Sequence, residues 1–358
     1  MKIFLLKTLL FFIPALLISI TEAFILPPDF FTFRSWEALA FINVSPLLAP
    51  ATFYPGYRLR KKEVGDLAHH TNKEIIKNTE WMIDQRGYRN DFFIADPDIL
   101  LIGDSFFVGS GLTQKETITN KLSDKLKEKA KVYNMAGGTF KAFDILLRNR
   151  IIKKPKLIIY GSVERKIKYS PYEKQGKWVK KFQNLKSKIP SWFNTLLVSA
   201  DRMIRFYSIQ WAKSRLNNQT GHGVVSPIDP RMLFFEGKSQ SIRTEEDLSK
   251  TLSELLSYKK YCDSMGINFL YIPMPDKETV YYELVPLDVQ PDFLVKLDRL
   301  LTKNGVAIIN TLDLYNKERQ KSPALLYLYD DTHWNSNATE LVANEIIKNE
   351  QLFTINSR

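Results

Sequence analysis

Asp98-Ile99-Leu100-Leu101-Ile102-Gly103-Asp104-Ser105-Phe106 is the stretch on which the reading of this chain turns. Its apolar run is too short for a buried helix and suits a strand covered on both faces, and it breaks at Gly-Asp-Ser, a turn tripeptide. In open α/β folds reactive groups gather at the carboxyl edge of a parallel sheet, so the break is expected to leave Ser105 exposed there, with Asp104 beside it. Near the other end, Asp330-Asp331-Thr332-His333-Trp334-Asn335 supplies one of only four histidines, with carboxylates two and three residues before it. Nucleophilic acyl transfer needs a hydroxyl, an imidazole to take its proton and a carboxylate to fix the imidazole tautomer. The candidates are Ser105, His333 and either Asp331 or Asp330.

The rhythm around this stretch supports a parallel sheet. Ile99–Ile102, Val132–Met135, Leu157–Tyr160, Ile267–Ile272 and Val306–Asn310 read as strands, and helical spacing marks Glu116–Lys129, Ala142–Ile152, Glu245–Met265 and Pro291–Lys303 between them. Such alternation is the α/β signature with right-handed crossovers. Ala136-Gly137-Gly138-Thr139 closes the second strand. Glycine lets the main chain approach a substrate closely, so the N–H of Ser105 and that of Gly137 or Gly138 are expected to form the oxyanion hole. Asn337 with Glu340 offers the amino cap of a last helix that fixes the His333 loop. Lys166 to Thr244 breaks the rhythm and reads as a cap over the site, with Trp178, Trp192 and Trp211 as sugar-stacking candidates. The expected division is therefore 1–26 as leader, 27–90 as lead-in, 91–165 and 245–358 as two parts of the core, and 166–244 as the insertion.

Lys2 and Lys7 precede the apolar stretch Thr8–Ile20, and Thr21-Glu22-Ala23 offers a cleavage point after Ala23. This pattern reads as an export signal, either removed as a signal peptide or retained as a membrane anchor. Phe30, Phe31, Phe33, Trp36 and Phe41 follow it, suited either to a membrane interface or to packing on the domain. The formal net charge of +12 is concentrated between Arg148 and Arg215, where 18 Lys or Arg face three acidic residues. An export leader argues against nucleic acid as the partner and leaves an anionic glycan, a lipid headgroup surface or a solvated face. The single cysteine, Cys262, makes no intramolecular disulfide and reads as core. His69 and His70 are adjacent and point apart, so no metal site is expected, and no cofactor.

In combination, the Gly103-Asp104-Ser105 and Asp331-Thr332-His333-Trp334 segments resemble those of the SGNH (GDSL-like) hydrolase superfamily, especially its alginate O-acetyltransferase-type branch of bacterial cell-envelope proteins. The resemblance spans roughly Tyr54 to Ile347. It implies a flavodoxin-like three-layer sandwich and an acyl-transfer enzyme, acting through Ser105, that acetylates an envelope polysaccharide. The alternatives are a carbohydrate or lipid esterase and a silent polysaccharide-binding module. The implied partners are a glycan or acyl ester and a membrane protein that delivers the acyl group. The implied location is the extracytoplasmic side of the envelope. Trp334 favours Asp331 over Asp330, Gly87-Tyr88-Arg89 matches a family element that makes Arg89 a site-lining candidate, and a second-block glycine is an oxyanion donor. Where many members carry Gly-x-Asn-Asp, this chain has Gly161-Ser162-Val163-Glu164-Arg165, which makes Glu164 and Arg165 candidates for a site-shaping ion pair.

Overall fold

Nine strands, numbered in chain order, lie among the described residues: β1 Arg58–Glu63, β2 Lys77–Met82, β3 Ile99–Gly103, β4 Val132–Asn134, β5 Leu157–Val163, β6 Gly223–Val225, β7 Leu233–Phe235, β8 Asn268–Met274 and β9 Ala307–Ile308. The computed structural model describes residues 1–43, 52–166, 168–173, 191–218, 220–235, 243–287 and 289–349. Five strands form one parallel sheet in the order β4-β3-β5-β8-β9. Taken in chain order these are the first to fifth parallel strands in the arrangement 2-1-3-4-5, the doubly wound order of flavodoxin-like folds. The chain reverses direction along the sheet at β3 and β5, and a ligand crevice opens beyond their carboxyl ends.

The apolar content of β3 follows from its place. Ile99, Leu100, Leu101 and Ile102 are all at most 1% exposed, between β4 and β5 with helices above and below. Connections β3 to β4 and β4 to β5 run in opposite directions along the sheet, so right-handed crossovers place their helices on opposite faces. Helix Ile118–Leu126 packs on the last helix, Ser336–Lys348, on one face. On the other, Phe140 of helix Phe140–Arg148 stacks on Tyr258 of helix Glu245–Ser264 at 4.1 Å. The last helix is capped by Asn335, whose side chain accepts from Asn337 N at 2.9 Å and Ala338 N at 3.2 Å, two residues earlier than the Asn337 cap the sequence suggested. Cys262 is fully buried, as expected.

The lead-in packs on this core. β1 and β2 form an antiparallel ribbon, and the short helix Ser35–Leu39 lies against β1. The leader forms helix Lys2–Ile20, which contains Pro14 and continues into a π-type turn at Thr21–Ile25. Among the described residues no helix is long and apolar enough to cross a membrane. The leader's carboxyl end is a packed structural joint. Ser19 Oγ donates to Met203 O at 2.6 Å, and the largely buried Glu22 accepts from Tyr207 N at 2.7 Å and Ser208 N at 3.1 Å. Ala23, beside the expected cleavage point, is 3% exposed.

The insertion contributes helices Ser191–Arg205 and Tyr207–Leu216 and the β6–β7 hairpin. Trp178 lies outside the described residues, as does the side chain of Trp192. Trp211 stands 6.0 Å from the ring of Phe31.

Candidate active site

Ser105 stands one residue beyond β3, after Asp104, and opens the helical turn Ser105–Val108. Asp104 caps that turn: Oδ1 accepts from Phe106 N at 3.0 Å, and Oδ2 from Val163 N at 2.6 Å, tying the turn to the end of β5. Burial pushes the Asp104 carboxyl up, against these hydrogen bonds. Glycine is required where the turn crosses β5, because a Cβ on Gly161 would meet the Phe107 ring at 2.5 Å. Ser105 itself is exposed.

The turn brings Ser105 to the His333 loop. Ser105 Oγ lies 2.8 Å from His333 Nε2, and His333 Nδ1 lies 2.6 Å from Asp331 Oδ1. Asp331 Oδ1 also accepts from His333 N at 3.0 Å. With Asp331 accepting from Nδ1–H, Nε2 presents its lone pair to the serine hydroxyl. Burial works to raise the Asp331 carboxyl, but Arg34, His333 and Lys77 outweigh it and hold it well below the usual carboxylate range. Asp330 does not touch the imidazole; its Oδ2 accepts from Gly65 N at 2.8 Å and Ile75 N at 3.1 Å and fixes the loop before β2.

Other expected site residues have different places. Gly137 does line the pocket beside Ser105. Its N–H donates to Gly103 O at 2.8 Å, and that of Gly138 to Met135 O at 2.9 Å, so both amides serve the strand-to-helix turn rather than an oxyanion. The N–H of Ser105, first in a helical turn, has no intrahelical acceptor by construction. Arg89 does not line the site. It is 2% exposed, donates to Gly109 O at 2.6 Å, Leu112 O at 2.8 Å and Val108 O at 3.2 Å, and holds the chain that leaves the serine turn. Trp334 is fully buried beneath the site. The expected Glu164–Arg165 pair is not made, because Arg165 pairs with Asp276 while Glu164 accepts from Asp276 N at 3.0 Å. Burial pushes Glu164 up to about 6 and Asp276 well above its usual range. Arg165 reaches the pocket.

That pocket, about 550 Å³, contains Ser105 and His333 in its lining. Its apolar wall is Phe33, Trp36, Phe53 and Val108, and Phe33 stacks on His69 at 4.3 Å. Most of this cover comes from the lead-in, and of the 166–244 segment's described residues only His222 takes part. Sequence reasoning missed Arg34, Asp66 and Lys77. Arg34 NH2 is 3.1 Å from Asp331 Oδ2, and Asp66 accepts from Thr332 N at 2.8 Å and Thr332 Oγ1 at 2.7 Å. Nothing local in the sequence marks these residues, since each meets the His333 loop across more than 250 positions. Asp66, Asp331 and His333 have ligand-type atoms within 4.8 Å of one another, a grouping that the Arg34 guanidinium already neutralises from the carboxylate side.

No curated protein gives a match. Among solved structures, a proposed acylhydrolase from Bacteroides fragilis is 11% identical at a TM-score of 0.33, over 72% of this chain and 88% of that one. The family model for the SGNH hydrolase-like domain of the acetyltransferase AlgX matches residues 229–352. Over those residues, which include Asp331 and His333, the chain is similar to the SGNH hydrolase-like domain of the acetyltransferase AlgX, the kind of protein its motifs resemble.

Proposed function

We propose that this protein is a serine acyltransferase that moves an acetyl group onto a hydroxyl of a cell-envelope polysaccharide through an acyl-enzyme on Ser105. The observation that carries the reading is the continuous hydrogen-bonded chain from Ser105 Oγ through His333 to Asp331, with links of 2.8 and 2.6 Å, at the wall of a 550 Å³ pocket. The family match over 229–352 supports acetyl as the group.

His333 Nε2 takes the Ser105 proton as Oγ attacks the acyl carbonyl, and Asp331 stabilises the imidazolium. The N–H of Ser105 stabilises the tetrahedral oxyanion. When the intermediate collapses, Nε2 returns the proton to the leaving oxygen or sulfur and Ser105 keeps the acyl group. An acceptor hydroxyl then gives its proton to Nε2 and attacks the ester, and the proton passes to Ser105 as the product leaves. Phe33, Trp36 and Phe53 offer apolar faces to a sugar or acyl group and keep water from the ester. The leader's charge pattern favours a body on the extracytoplasmic side, where a membrane protein would deliver the acyl group.

A fluorophosphonate probe tests this reading by labelling Ser105 in the wild type and failing in Ser105→Ala and His333→Ala. Labelling that survives Ser105→Ala would remove the assignment. With an activated acetyl ester, a suitable glycan should speed donor consumption and carry acetyl in the product. Fast hydrolysis indifferent to every glycan would instead make the protein an esterase.

A further inference from the structure

We infer that Arg34, on the segment just after the leader, is a positioning residue that holds both sides of the His333 loop through one guanidinium; this rests on the serine mechanism proposed above. Asp331 divides its two oxygens. Oδ1 serves the His333 ring and amide, while Oδ2 meets Arg34 NH2 at 3.1 Å and Lys77 Nζ at 3.7 Å. The other arm of the guanidinium, NH1, lies 3.5 Å from Asp66 Oδ2. Asp66 in turn takes both the amide and the hydroxyl of Thr332. The residues on either side of the Thr332–His333 peptide are thus held by two carboxylates, and one planar cation spans the pair. Arg34 is 3% exposed, so its attraction acts away from bulk water.

Of the two cations on Asp331 Oδ2, Arg34 makes the closer contact, at 3.1 Å against 3.7 Å for Lys77. Facing Asp331 are the cations Arg34, Lys77 and Lys277, the last donating to the Asp331 main-chain O at 3.2 Å, and the anion Asp66. Asp330 beside it is paired with Lys77 at 3.6 Å, and His333 is on Asp331 Oδ1. Arg34 also faces the carboxylates of Glu37 and Glu63, Arg165 faces Asp66, and Glu278 lies beside Lys277. Without Arg34 the Asp331 carboxylate loses its nearest cation, which favours a proton on the Asp331–His333 pair and withdraws the base at low pH. A lysine in its place would keep the charge but lose the planar fork that reaches two carboxylates at once.

The test is the rate of fluorophosphonate labelling of the full-length protein across pH, with folding followed by circular dichroism and thermal melting. For Arg34→Met the acidic limb of the pH–rate profile should move up by about one pH unit. For Arg34→Lys the limb should stay within about 0.3 unit of wild type while the plateau rate falls roughly tenfold. A purely structural role would lower the melting temperature and the active fraction and leave the limb in place. An Arg34→Met limb that superimposes on the wild type overturns the inference. So does Arg34→Lys labelling at the wild-type plateau, which decides the matter if the methionine variant does not fold. Absence of labelling in the wild type would instead remove the serine reading beneath it.

Discussion

The indole Nε1–H of Trp334 donates to the main-chain carbonyl of Phe106, 3.1 Å away. This bond joins the residue after the candidate base to the residue after the candidate nucleophile, positions 228 apart in the chain. Phe107 stacks beneath the indole at 6.1 Å and 15°, and the Phe106 ring lies 4.8 Å from the His333 ring. The 2.8 Å approach of Ser105 to His333 therefore rests on a buried aromatic cluster rather than on flexible loops.

Trp334→Phe keeps a ring in that cluster but removes one of the two donors to the Phe106 carbonyl, which retains Gly109 N at 3.0 Å. Losing one hydrogen bond to an acceptor that keeps another costs about 0.5–1.5 kcal/mol of stability. Loosening the Ser105–His333 approach should also slow labelling about tenfold while the affinity for a probe or ester changes little. A variant with lowered melting temperature and unchanged labelling would show that the indole bond supports the fold and not the alignment.

The two aspartates should separate sharply. Asp331→Asn removes the acceptor of Nδ1–H and permits the wrong tautomer, so labelling and turnover should fall about a thousandfold or more. Asp330→Asn disturbs the anchor of Gly65 N and Ile75 N, so it should act mainly on stability, by about 1–2 kcal/mol. Equal losses of rate would contradict the separate places of the two carboxylates.

The difference between these neighbours shows where the sequence was informative. Ile99–Gly103 declared its strand because a central parallel strand is apolar along its whole length, and Ser105 and His333 stood out because their residue types are chemically restrictive. Trp334 pointed to Asp331 only through a family resemblance, and the contact geometry makes the same choice independently. Glycines at 137 and 138 suggested oxyanion donors, yet a turn uses its own amides, and nothing in composition reveals that Gly137 N is taken by Gly103 O. Arg34, Asp66 and Lys77 were invisible for a different reason: a charged residue reads as surface until the fold shows a buried carboxylate opposite it. The aromatic run around Trp36 was open to two readings, and the pocket wall formed by Phe33 and Trp36 accounts for two of its rings.

Glu37, in the short helix beside Arg34, sets a pH dependence of stability. Burial pushes its carboxyl up to about 7, against Arg34 and the backbone N–H of Phe33. A raised acid pKa stabilises the folded state fully below the unfolded value, near 4.5, and that contribution is lost as pH rises through about 7. Glu37→Gln keeps an acceptor for Phe33 N and removes the charge. Its melting temperature should exceed the wild type's at pH 8, by the equivalent of about 1–3 kcal/mol, and converge with it near pH 4.5. Parallel curves for the two proteins from pH 4.5 to 8 would assign the dependence to other groups.

Gly161 offers the most direct test of how the sheet positions the nucleophile. It pairs with Gly103 in the β3–β5 register, and a Cβ there would meet Phe107 Cε1 at 2.5 Å and Cζ at 2.6 Å. Phe107 is fully buried and stacked on Trp334. In Gly161→Ala the ring must push on the indole or on the turn that carries Ser105. Overpacking of this kind costs about 1–3 kcal/mol. Because the displaced ring belongs to the serine turn, the labelling rate should fall along with the melting temperature. Shortening the obstacle should restore both: Gly161→Ala combined with Phe107→Leu is expected to label faster than Gly161→Ala alone, although Phe107→Leu by itself opens a cavity and destabilises. That sign reversal is the decisive reading, since two independent lesions would add. Additive losses in the double variant would mean that the glycine is not there to make room for Phe107.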